Sequence, residues 1–590
     1  MNKTFVDRPP RSQVGYSGFP LDHLVNFTSA CGYLIPIFHQ ILDPGDKVVI
    51  KNLLHTRTQP LTTPAMATVI ERVEWFAVPV EQLDKAFSPK FFGINDVESD
   101  MLPTTFNSDQ LPFIPLNYLN AWLYGKPRQM VGQGGQTSSE PCFSEAKRLL
   151  DALGCPKSIG NAQTVDIEWH HSLLAYFPAA YQKIYYDHYR LTDRVPNDPE
   201  AYNLDSFHNS PNISGTSLNS RLDKLLMLHK RPYNLDYFTS MDVSPLFGSS
   251  GVNGSGVDLT KVQQWLSGLS GLATASPSSN QNFPNGGNVV PDTDDPSTVR
   301  LNSASGTTNL TLNLAQPYLS TLNPANIRSL FAVEKLLEVT RKAKKHYDKQ
   351  VLAHFGVEVP KGRSGECFKI GTHEQYLQIG DVVSSATTQT PDGDQLGALG
   401  ELAGRGQSKA QSSKFEFEAK THCVLMGIYS AEPLMSYENN GMMRINTMTR
   451  ASDWYKSEFD RLGQQPVFQF ELYDYPYNIM EGDPSNAIIG WQDRYSQLKA
   501  AYNRSFAGAA TSFFREWFLN RKIYPNVLTR YFFEIWPTDM NDILQKDYTG
   551  TVGDGSNQAQ VAYVNDYLVN QLYCDVVKVS KKSIHGTPNM

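Results

Sequence analysis

The side chains of this sequence that could perform catalysis or bind a metal are few and lie far apart. Glu168 precedes the adjacent pair His170 and His171, but neighbouring residues on a helix or strand point in different directions, so the pair offers no chelating face. His422 and Cys423 suggest thiol chemistry, yet Cys423 opens the apolar run CVLMGI, where a buried cysteine is the expected occupant. The sequence therefore predicts no metal, no cofactor and no catalytic residue.

Sequence motifs for nucleotide binding or nucleophilic catalysis are missing as well. No G-x-S-x-G elbow occurs, no dinucleotide-binding glycine pattern follows a strand, and Gln407 follows Gly406 where a P-loop requires lysine. The six cysteines include no C-x-x-C pair, which predicts reduced thiols in a cytoplasm and neither a zinc ribbon nor a disulfide framework. An all-β hydrolase would need a convergent acid–base or metal cluster, and none is recognisable, so we interpret the chain as a non-enzyme.

Basic residues at the two chain ends are the candidates for nucleic-acid contact. Lysine and arginine total 52 against 59 aspartate and glutamate, a formal net charge of −7, so such contact must come from local patches. Residues 576–590 contain no acidic residue and are interpreted as a basic tail, with solvated chain ends as the alternative. The candidates for phosphate contact are Lys578, Lys581 and Lys582 in this tail, and Arg8 and Arg11 near the start.

Strand patterns dominate the elements that would position these residues. The first part of the chain holds extended runs separated by Asp43-Pro44-Gly45-Asp46, a turn in which Pro fixes φ and Gly supplies positive φ. Pro79 is expected to end the third run or to lie at a sheet edge. The strand-like runs are YLIPIF, KVVIKNLL and TVIERVEWFAVPV near the start, then KFEFEAKTHCVLMGIYSAEP, QPVFQFELYDYPY, VLTRYFFEIW and QVAYVNDYLVNQLYCDVVKVS.

Two stretches, 173–190 and 323–355, have the apolar spacing of helices. In the second, Asn323 can cap the helix, Pro324 suits its first position and Gly356 supplies a stop. The basic run RKAKK inside it is interpreted as a solvated helix face, with phosphate contact as the alternative.

Two further stretches have the composition of loops. Residues 248–320 are dominated by Gly, Ser, Asn, Thr and Pro, but residues 259–272 have helical spacing and residues 310–314 alternate as in a strand. These patterns favour an ordered surface elaboration, with a flexible linker as the alternative. The glycine-rich residues 387–413 are predicted to form a loop.

Neither a membrane span nor a secretory signal is recognisable in the sequence. The longest apolar runs fall well short of the ~18 residues that a membrane helix needs. The opening MNKTFVDRPPRSQ has charges and prolines where a signal peptide needs an apolar segment, so export by that route is not expected.

Several short segments, rich in aromatic, glycine and proline residues, stand in a fixed order along the chain. They are 32–37 (GYLIPI), 42–46 (LDPGD), 60–66 (PLTTPAM), 75–79 (WFAVP), 180–190 (AYQKIYYDHYR), 231–239 (RPYNLDYFT), 354–357 (HFGV), 462–465 (LGQQ) and 490–495 (GWQDRY). Together they resemble the major capsid proteins of microviruses, small tailless phages with circular single-stranded DNA, and in particular the gokushovirus-like branch. Trp491 stands where that family usually has tyrosine.

The resemblance implies a mainly β fold, an eight-stranded antiparallel viral jelly roll with long helical and loop insertions, in which 1–590 form a single domain. It also implies assembly into a T=1 icosahedral capsid with one chain per asymmetric unit. The insertion, bounded at 241–322, would form a protrusion at the threefold axis and meet the host surface. Its candidate contact residues are Leu259, Trp265, Leu269 and Phe283.

The function that the resemblance implies is structural: a virion protein, assembled in the host cytoplasm, that encloses circular single-stranded DNA. The implied partners are further copies of the chain, the packaged DNA, a small basic DNA-binding virion protein, pilot or spike-type minor virion proteins, an assembly scaffold and a bacterial surface receptor. A separate basic protein is expected because a subunit with a charge of −7 neutralises little DNA. A large β-rich glycan-binding adhesin, whose aromatic side chains stack on sugars, is the alternative function.

Overall fold

The fold is given by a computed structural model of the 590-residue chain. The chain divides into two compact units, 1–243 together with 358–590, and 244–357. No helix among the described residues is long and apolar enough to cross a membrane. The structure describes residues 15–92, 111–126, 141–160, 172–243, 288–310, 335–360, 365–472, 488–521, 530–537 and 566–582, with short gaps inside several of these ranges.

Ten strands of the first unit form one antiparallel sheet that occupies eight strand positions. The order across the sheet is β1/β2, β10, β4, β7/β8, β6, β5, β9, β3, in which each slash joins two strands that pair with the same neighbour at different places. The strands are β1 (Ser17–Pro20), β2 (His23–Ser29), β3 (Ile35–Leu42), β4 (Lys47–Thr58), β5 (Thr68–Pro79), β6 (Phe368–Val383), β7 (Leu402–Gln411), β8 (Phe415–Glu418), β9 (Cys423–Pro433) and β10 (Leu568–Ser580).

This strand order is that of a jelly roll. The four positions β2, β10, β4 and β7 form one side of a curled sheet, and β6, β5, β9 and β3 form the other. The β6–β7 pairing joins the two sides into one continuous path. Most neighbours in the sheet are therefore distant in the chain, and β10 pairs with β4 over twelve residue pairs although more than 500 residues separate them. The predicted mainly β jelly roll with helical insertions is confirmed.

Helices cover one side of this barrel. Side chains alternate along β5, so that Val73 and Trp75 belong to the core inside the barrel, whereas Phe76 and Val78 belong to a second core beneath the helices. Because both faces of β5 are covered, nearly the whole strand is buried. The helices of the first unit are α1 (Phe87–Phe92), α2 (Leu116–Tyr124), α3 (Phe143–Ala152), α4 (Tyr176–Ile184) and α5 (Thr216–Leu225), with short turns of helix at Gln469–Leu472, Ser496–Lys499 and Arg530–Phe533.

Smaller strand pairings surround the barrel in the first unit. Phe113–Pro115 pairs with Ser172–Leu174, and Gln464–Phe468 pairs with Ile488–Asp493. Ser436–Glu438 lies between Arg504–Ser505 and Asn520–Arg521. Thr388–Gln389 pairs with Gln395–Gly397.

The predicted strands near the start are confirmed as β3, β4 and β5. Gly45 in the turn between β3 and β4 has a φ of +93°, and β5 ends at Pro79, as the sequence indicates. Two later strand predictions are confirmed by β9 and β10, whereas part of the run VLTRYFFEIW forms the short helix Arg530–Phe533.

The predicted loop at 387–413 is wrong over residues 402–411, which form the barrel strand β7. Its glycines have a packing role. A Cβ at Gly404 would lie under 3.0 Å from the backbone oxygen of Thr63, and one at Gly406 would lie 2.5 Å from the Cγ2 atom of Thr58. Glycine is needed here because another chain segment passes too close for a side chain.

The helix predictions are confirmed in part. The stretch 173–190 contains α4, which continues as a π-helical turn over Tyr185–Tyr189. In the stretch 323–355 the structure has α6 (Tyr347–Phe355), which ends at Gly356 with a φ of +68°, as predicted. A single continuous helix is wrong, because His346 is extended and begins α6 as its N-cap. Apolar spacing does not reveal one extended residue between two helical stretches.

The second unit contains a small antiparallel sheet in addition to α6. Its strand order is Gly306–Leu310, Val299–Ser303, Asn288–Pro291. The predicted strand at 310–314 therefore includes the end of a real strand at Leu310, and its other residues lie outside the described part of the chain. Residues 259–272, predicted to be helical, also lie outside it.

Candidate functional site

The candidate site at the chain end begins inside the barrel. Residues 576–580 are the last part of β10, so the predicted basic tail 576–590 starts later than the sequence indicates. Lys578 is only 5% exposed, and its Nζ atom donates a hydrogen bond to the Ile41 backbone oxygen at 2.9 Å and lies 2.8 Å from Asp46 Oδ2. Lys578 thus links β10 to β3, the last strand on the other side of the sheet. Its charge is directed at Asp46 and away from solvent.

The contact with Lys578 lowers the pKa of the Asp46 carboxyl group. Burial by itself would raise the pKa of Asp46, but hydrogen bonds from Lys578 and Ser580 outweigh it and hold the pKa below its usual value. Asp46 is therefore ionised at neutral pH and forms a buried ion pair with Lys578. The pair holds the turn between β3 and β4 against β10.

The next two lysines lie near the same turn. Lys582 Nζ is 2.6 Å from Asp43 Oδ2, and this hydrogen bond raises the pKa of Lys582. Lys581 Nζ lies 5.3 Å from the ring centre of Tyr16, a cation–π distance. The structure therefore brings the three predicted lysines together around the turn 43–46, where two of them face carboxylates. Contact of Lys581 and Lys582 with nucleic acid stays a prediction.

Other candidates from the sequence lie outside the described residues. They are Arg8, Arg11, Glu168, His170, His171, Leu259, Trp265, Leu269 and Phe283. Cys423 is buried in β9, and burial raises the pKa of its thiol, as the packing interpretation requires. All six cysteines are free, and burial raises the pKa of Cys155 to about 11 and that of Cys574 to about 12. The thiols of Cys423, Cys155 and Cys574 are therefore protonated at neutral pH.

A charged cluster that the sequence did not single out lies on the helix-covered face of the barrel. Glu74 of β5 accepts hydrogen bonds from Tyr189, Arg231 and Lys369 at 2.5, 2.7 and 2.6 Å. Burial opposes ionisation of Glu74, but the nearby cations Arg231 and Lys369 lower its pKa to about 2. On the same strand, Arg72 pairs with Glu432 of the neighbouring strand β9. This cluster holds the chain segment that contains Arg231 against β5, β6 and β9, which is a structural role.

The signal for this cluster was present in the sequence. Arg72 and Glu74 are charged residues two positions apart within an otherwise apolar strand, so both point to one face. Identifying their partners required the fold, because Arg231 and Lys369 are more than 150 residues away along the chain.

Large apolar side chains are exposed together in residues 441–460, which we call the 441–460 segment. Neither of its short 3₁₀ turns, Arg444–Thr447 and Ser457–Phe459, buries a residue. Single exposed apolar residues are ordinary, but a concentration of them marks an interaction surface. The exposed members are Met442, Ile445, Trp454, Tyr455 and Phe459.

Comparison with known proteins identifies the family of the chain. The profile of the family described as "Capsid protein (F protein)" matches residues 137–551. The chain is also 21% identical, over 568 residues, to the capsid protein VP1 of Chlamydia phage 1, and this match covers 87% of the chain and 88% of the relative. Both findings agree with the resemblance seen in the sequence, and the family match spans more than half of the chain. The chain belongs to the phage capsid protein (F protein) family.

Proposed function

We propose that the chain is the major structural subunit of a virion, that it assembles with further copies of itself into a closed icosahedral shell around circular single-stranded DNA, and that it has no catalytic role. Family membership supports the capsid role. The observation that carries self-assembly is the exposure of apolar side chains in the 441–460 segment.

This segment has the composition of a protein–protein interface. Trp454 is 65% exposed and Tyr455 54% exposed, and both lie close in sequence to the exposed Phe459. Aromatic residues and methionine are enriched at the centres of interfaces. A closed shell repeats each contact many times, so contacts of modest area are sufficient to hold it. A second copy of the chain is the partner that this surface would meet in a shell.

Further parts of the proposal concern the insertion and the other virion components. The insertion 241–322 would form an outward protrusion at the threefold axis and contribute to attachment to a bacterial surface receptor. A small basic protein would neutralise most of the packaged DNA, because the subunit itself carries a net charge of −7. Pilot or spike-type minor proteins would join the virion, and a scaffold would assist assembly in the host cytoplasm.

Sedimentation of native particles tests the proposal directly. Material from producing cells, treated with nuclease, should sediment as one megadalton species that contains the chain and protects single-stranded DNA. A discrete species near the chain mass of 66.1 kDa, with no protected nucleic acid, would contradict the proposal and favour the glycan-binding alternative.

Variants of the 441–460 segment locate the contact. Trp454→Ser combined with Phe459→Ser should give folded subunits that yield at least about tenfold fewer particles, since each lost aromatic anchor weakens a repeated contact by about 2 kcal/mol. The matched control is Tyr347→Ser with Phe355→Ser, which removes two exposed aromatic residues of α6. Normal particle yield from the first variant would exclude this segment as an assembly surface.

A further inference from the structure

One solvent-facing side of the barrel presents a continuous surface formed by β7, β4, β10 and β2. The strand register arranges its outward side chains in rows across the sheet, because directly opposed residues point to the same face. The three rows are Gln407, Arg57, Val569 and Thr28; then Lys409, His55, Gln571 and Asn26; then Gln411, Leu53, Tyr573 and Leu24. Arg405 extends the surface on β7. We call these thirteen residues the basic sheet face.

The charge of the basic sheet face is opposite in sign to that of the chain. Arg57, Arg405 and Lys409 are exposed cations, and none of the thirteen residues is a carboxylate, although the chain as a whole carries −7. Within the described residues the side chains of these three cations take part in no ion pair or hydrogen bond. They differ in this respect from Lys578 and Lys582, which face Asp46 and Asp43.

The three cations all lie close enough to His55, in the middle row of this face, to affect its pKa. Burial lowers the pKa of His55, and the positive charges of Arg57, Lys409 and Arg405 lower it further, against an opposing contribution from Glu71. Arg405 and Lys409 are four residues apart on β7, which is about 13 Å along a strand. The three charges therefore form one patch with a shared positive potential, suited to a partner that carries several negative charges in a row.

Groups that can contact flat, unpaired bases adjoin these cations. Tyr573 is 42% exposed in the third row, between Leu53 and Leu24, and Leu24 is itself 51% exposed. The amide groups of Gln407, Gln411, Gln571 and Asn26 supply hydrogen-bond donors and acceptors beside them. Exposed aromatic rings on a sheet, next to cations, are the means by which proteins bind single-stranded nucleic acid without reading its sequence.

We propose that the basic sheet face binds the packaged single-stranded DNA, with phosphates on Arg57, Arg405 and Lys409 and with bases stacked on Tyr573. This assignment rests on the proposed function, since only a subunit that encloses DNA would use such a surface for it. Stacking on Tyr573 requires unpaired bases, so the surface favours single strands over duplex DNA. It replaces the chain-end lysines as the principal contact within the described residues.

Binding of a fluorescein-labelled oligothymidylate, followed by fluorescence anisotropy over a series of salt concentrations, tests this assignment. The protein is the full-length chain in its unassembled form. Combining Arg57→Gln, Arg405→Gln and Lys409→Gln should weaken binding about tenfold or more and reduce the salt slope of log K by about 2, because each phosphate contact contributes ~0.7. The matched control combines Lys85→Gln, Lys157→Gln and Lys420→Gln, three exposed lysines outside the face, and should change neither quantity.

A second variant separates stacking from charge. Tyr573→Leu keeps an apolar side chain in β10 but removes the ring, so we expect weaker binding by about fivefold to a hundredfold with an unchanged salt slope. Unchanged affinity and slope in the triple variant, equal affinity of the wild-type chain for duplex DNA, or no binding of oligothymidylate at all would overturn the assignment. Protection of DNA by native particles is measured separately and decides the proposed function independently of these results.

Discussion

At the scale of single residues, the contrast between Lys578 and the exposed cations separates structural charge from functional charge. Lys578 is buried with Asp46 and hydrogen-bonded to the Ile41 backbone, so its charge stabilises the closed barrel. Arg57 and Lys409 lie on exposed strand positions and have no carboxylate partner among the described residues. These lysines and arginines cannot be told apart from sequence composition, because they differ in the group that each side chain contacts in the fold.

The Lys578–Asp46 pair supports a prediction about stability. Lys578→Met leaves the Asp46 carboxylate buried without its cation, which should lower the free energy of unfolding by about 3 kcal/mol at neutral pH, measured by urea denaturation. Because the pKa of Asp46 is lowered in the folded state, its contribution is present above the ordinary carboxyl pKa and is lost as the pH falls through the lowered value. The difference between wild type and variant should therefore shrink in acid.

A matched control for this prediction is Lys582→Met. Lys582 is also paired with a carboxylate, Asp43, but both side chains are partly exposed, so its removal should cost less than about 1 kcal/mol. Equal losses of stability in the two variants would show that burial of the Lys578 pair contributes nothing.

At the scale of elements, β7 shows how packing overrides a local sequence preference. Its glycines predict a loop, yet the strand pairs with both β4 and β6 and completes the jelly roll. The close approach of the chain near Thr63 excludes any side chain at Gly404. The same composition that favours turns elsewhere is here required by a neighbouring segment that only the fold brings near.

Gly404→Ala is expected to destabilise the barrel. The added Cβ would meet a backbone oxygen that cannot rotate away, so the unfolding free energy should fall by about 1–3 kcal/mol. Gly380→Ala is the control, because the nearest atom to its Cβ, the Arg405 backbone oxygen, is 3.9 Å away. Thermal unfolding of the two variants gives the comparison. A loss of stability at Gly380 as large as that at Gly404 would contradict the assignment of the effect to the close contact with Thr63.

At the scale of the whole molecule, the surfaces of the chain have different chemistry. The 441–460 segment exposes apolar and aromatic side chains, which suit a contact between subunits. The basic sheet face is cationic and polar, which suits a contact with DNA. Lys578 and Lys582 at the chain end are paired with carboxylates of the turn 43–46. One folded subunit can therefore present separate surfaces to its copies and to a genome.

The proposed outward position of the insertion predicts a pattern of proteolysis. Limited digestion of intact particles should cut first within residues 248–320, because a protrusion is the part most accessible to a protease, and mass spectrometry of the fragments identifies the sites. Unassembled subunits provide the control, since they also expose the surfaces that assembly would cover. Cleavage elsewhere in intact particles while 248–320 stays uncut would contradict the outward placement.

The sequence by itself determined the local elements and the family. The extended runs on either side of the Asp43–Asp46 turn predicted β3 and β4. The ordered motifs from 32–37 to 490–495 indicated the capsid family that the comparison shows. These features are local, so short stretches of sequence contain them.

Only the tertiary structure decided which residues act together. The buried pair of Lys578 and Asp46 joins β10 to the turn between β3 and β4. The rows of the basic sheet face join Lys409 to His55 and Gln571 across strands far apart in the chain. Strand register fixes such neighbours, and register depends on long-range pairing that no local pattern specifies. For the same reason the sequence indicated only the chain-end lysines as basic contacts, and the cations of the basic sheet face could be grouped only from the strand register.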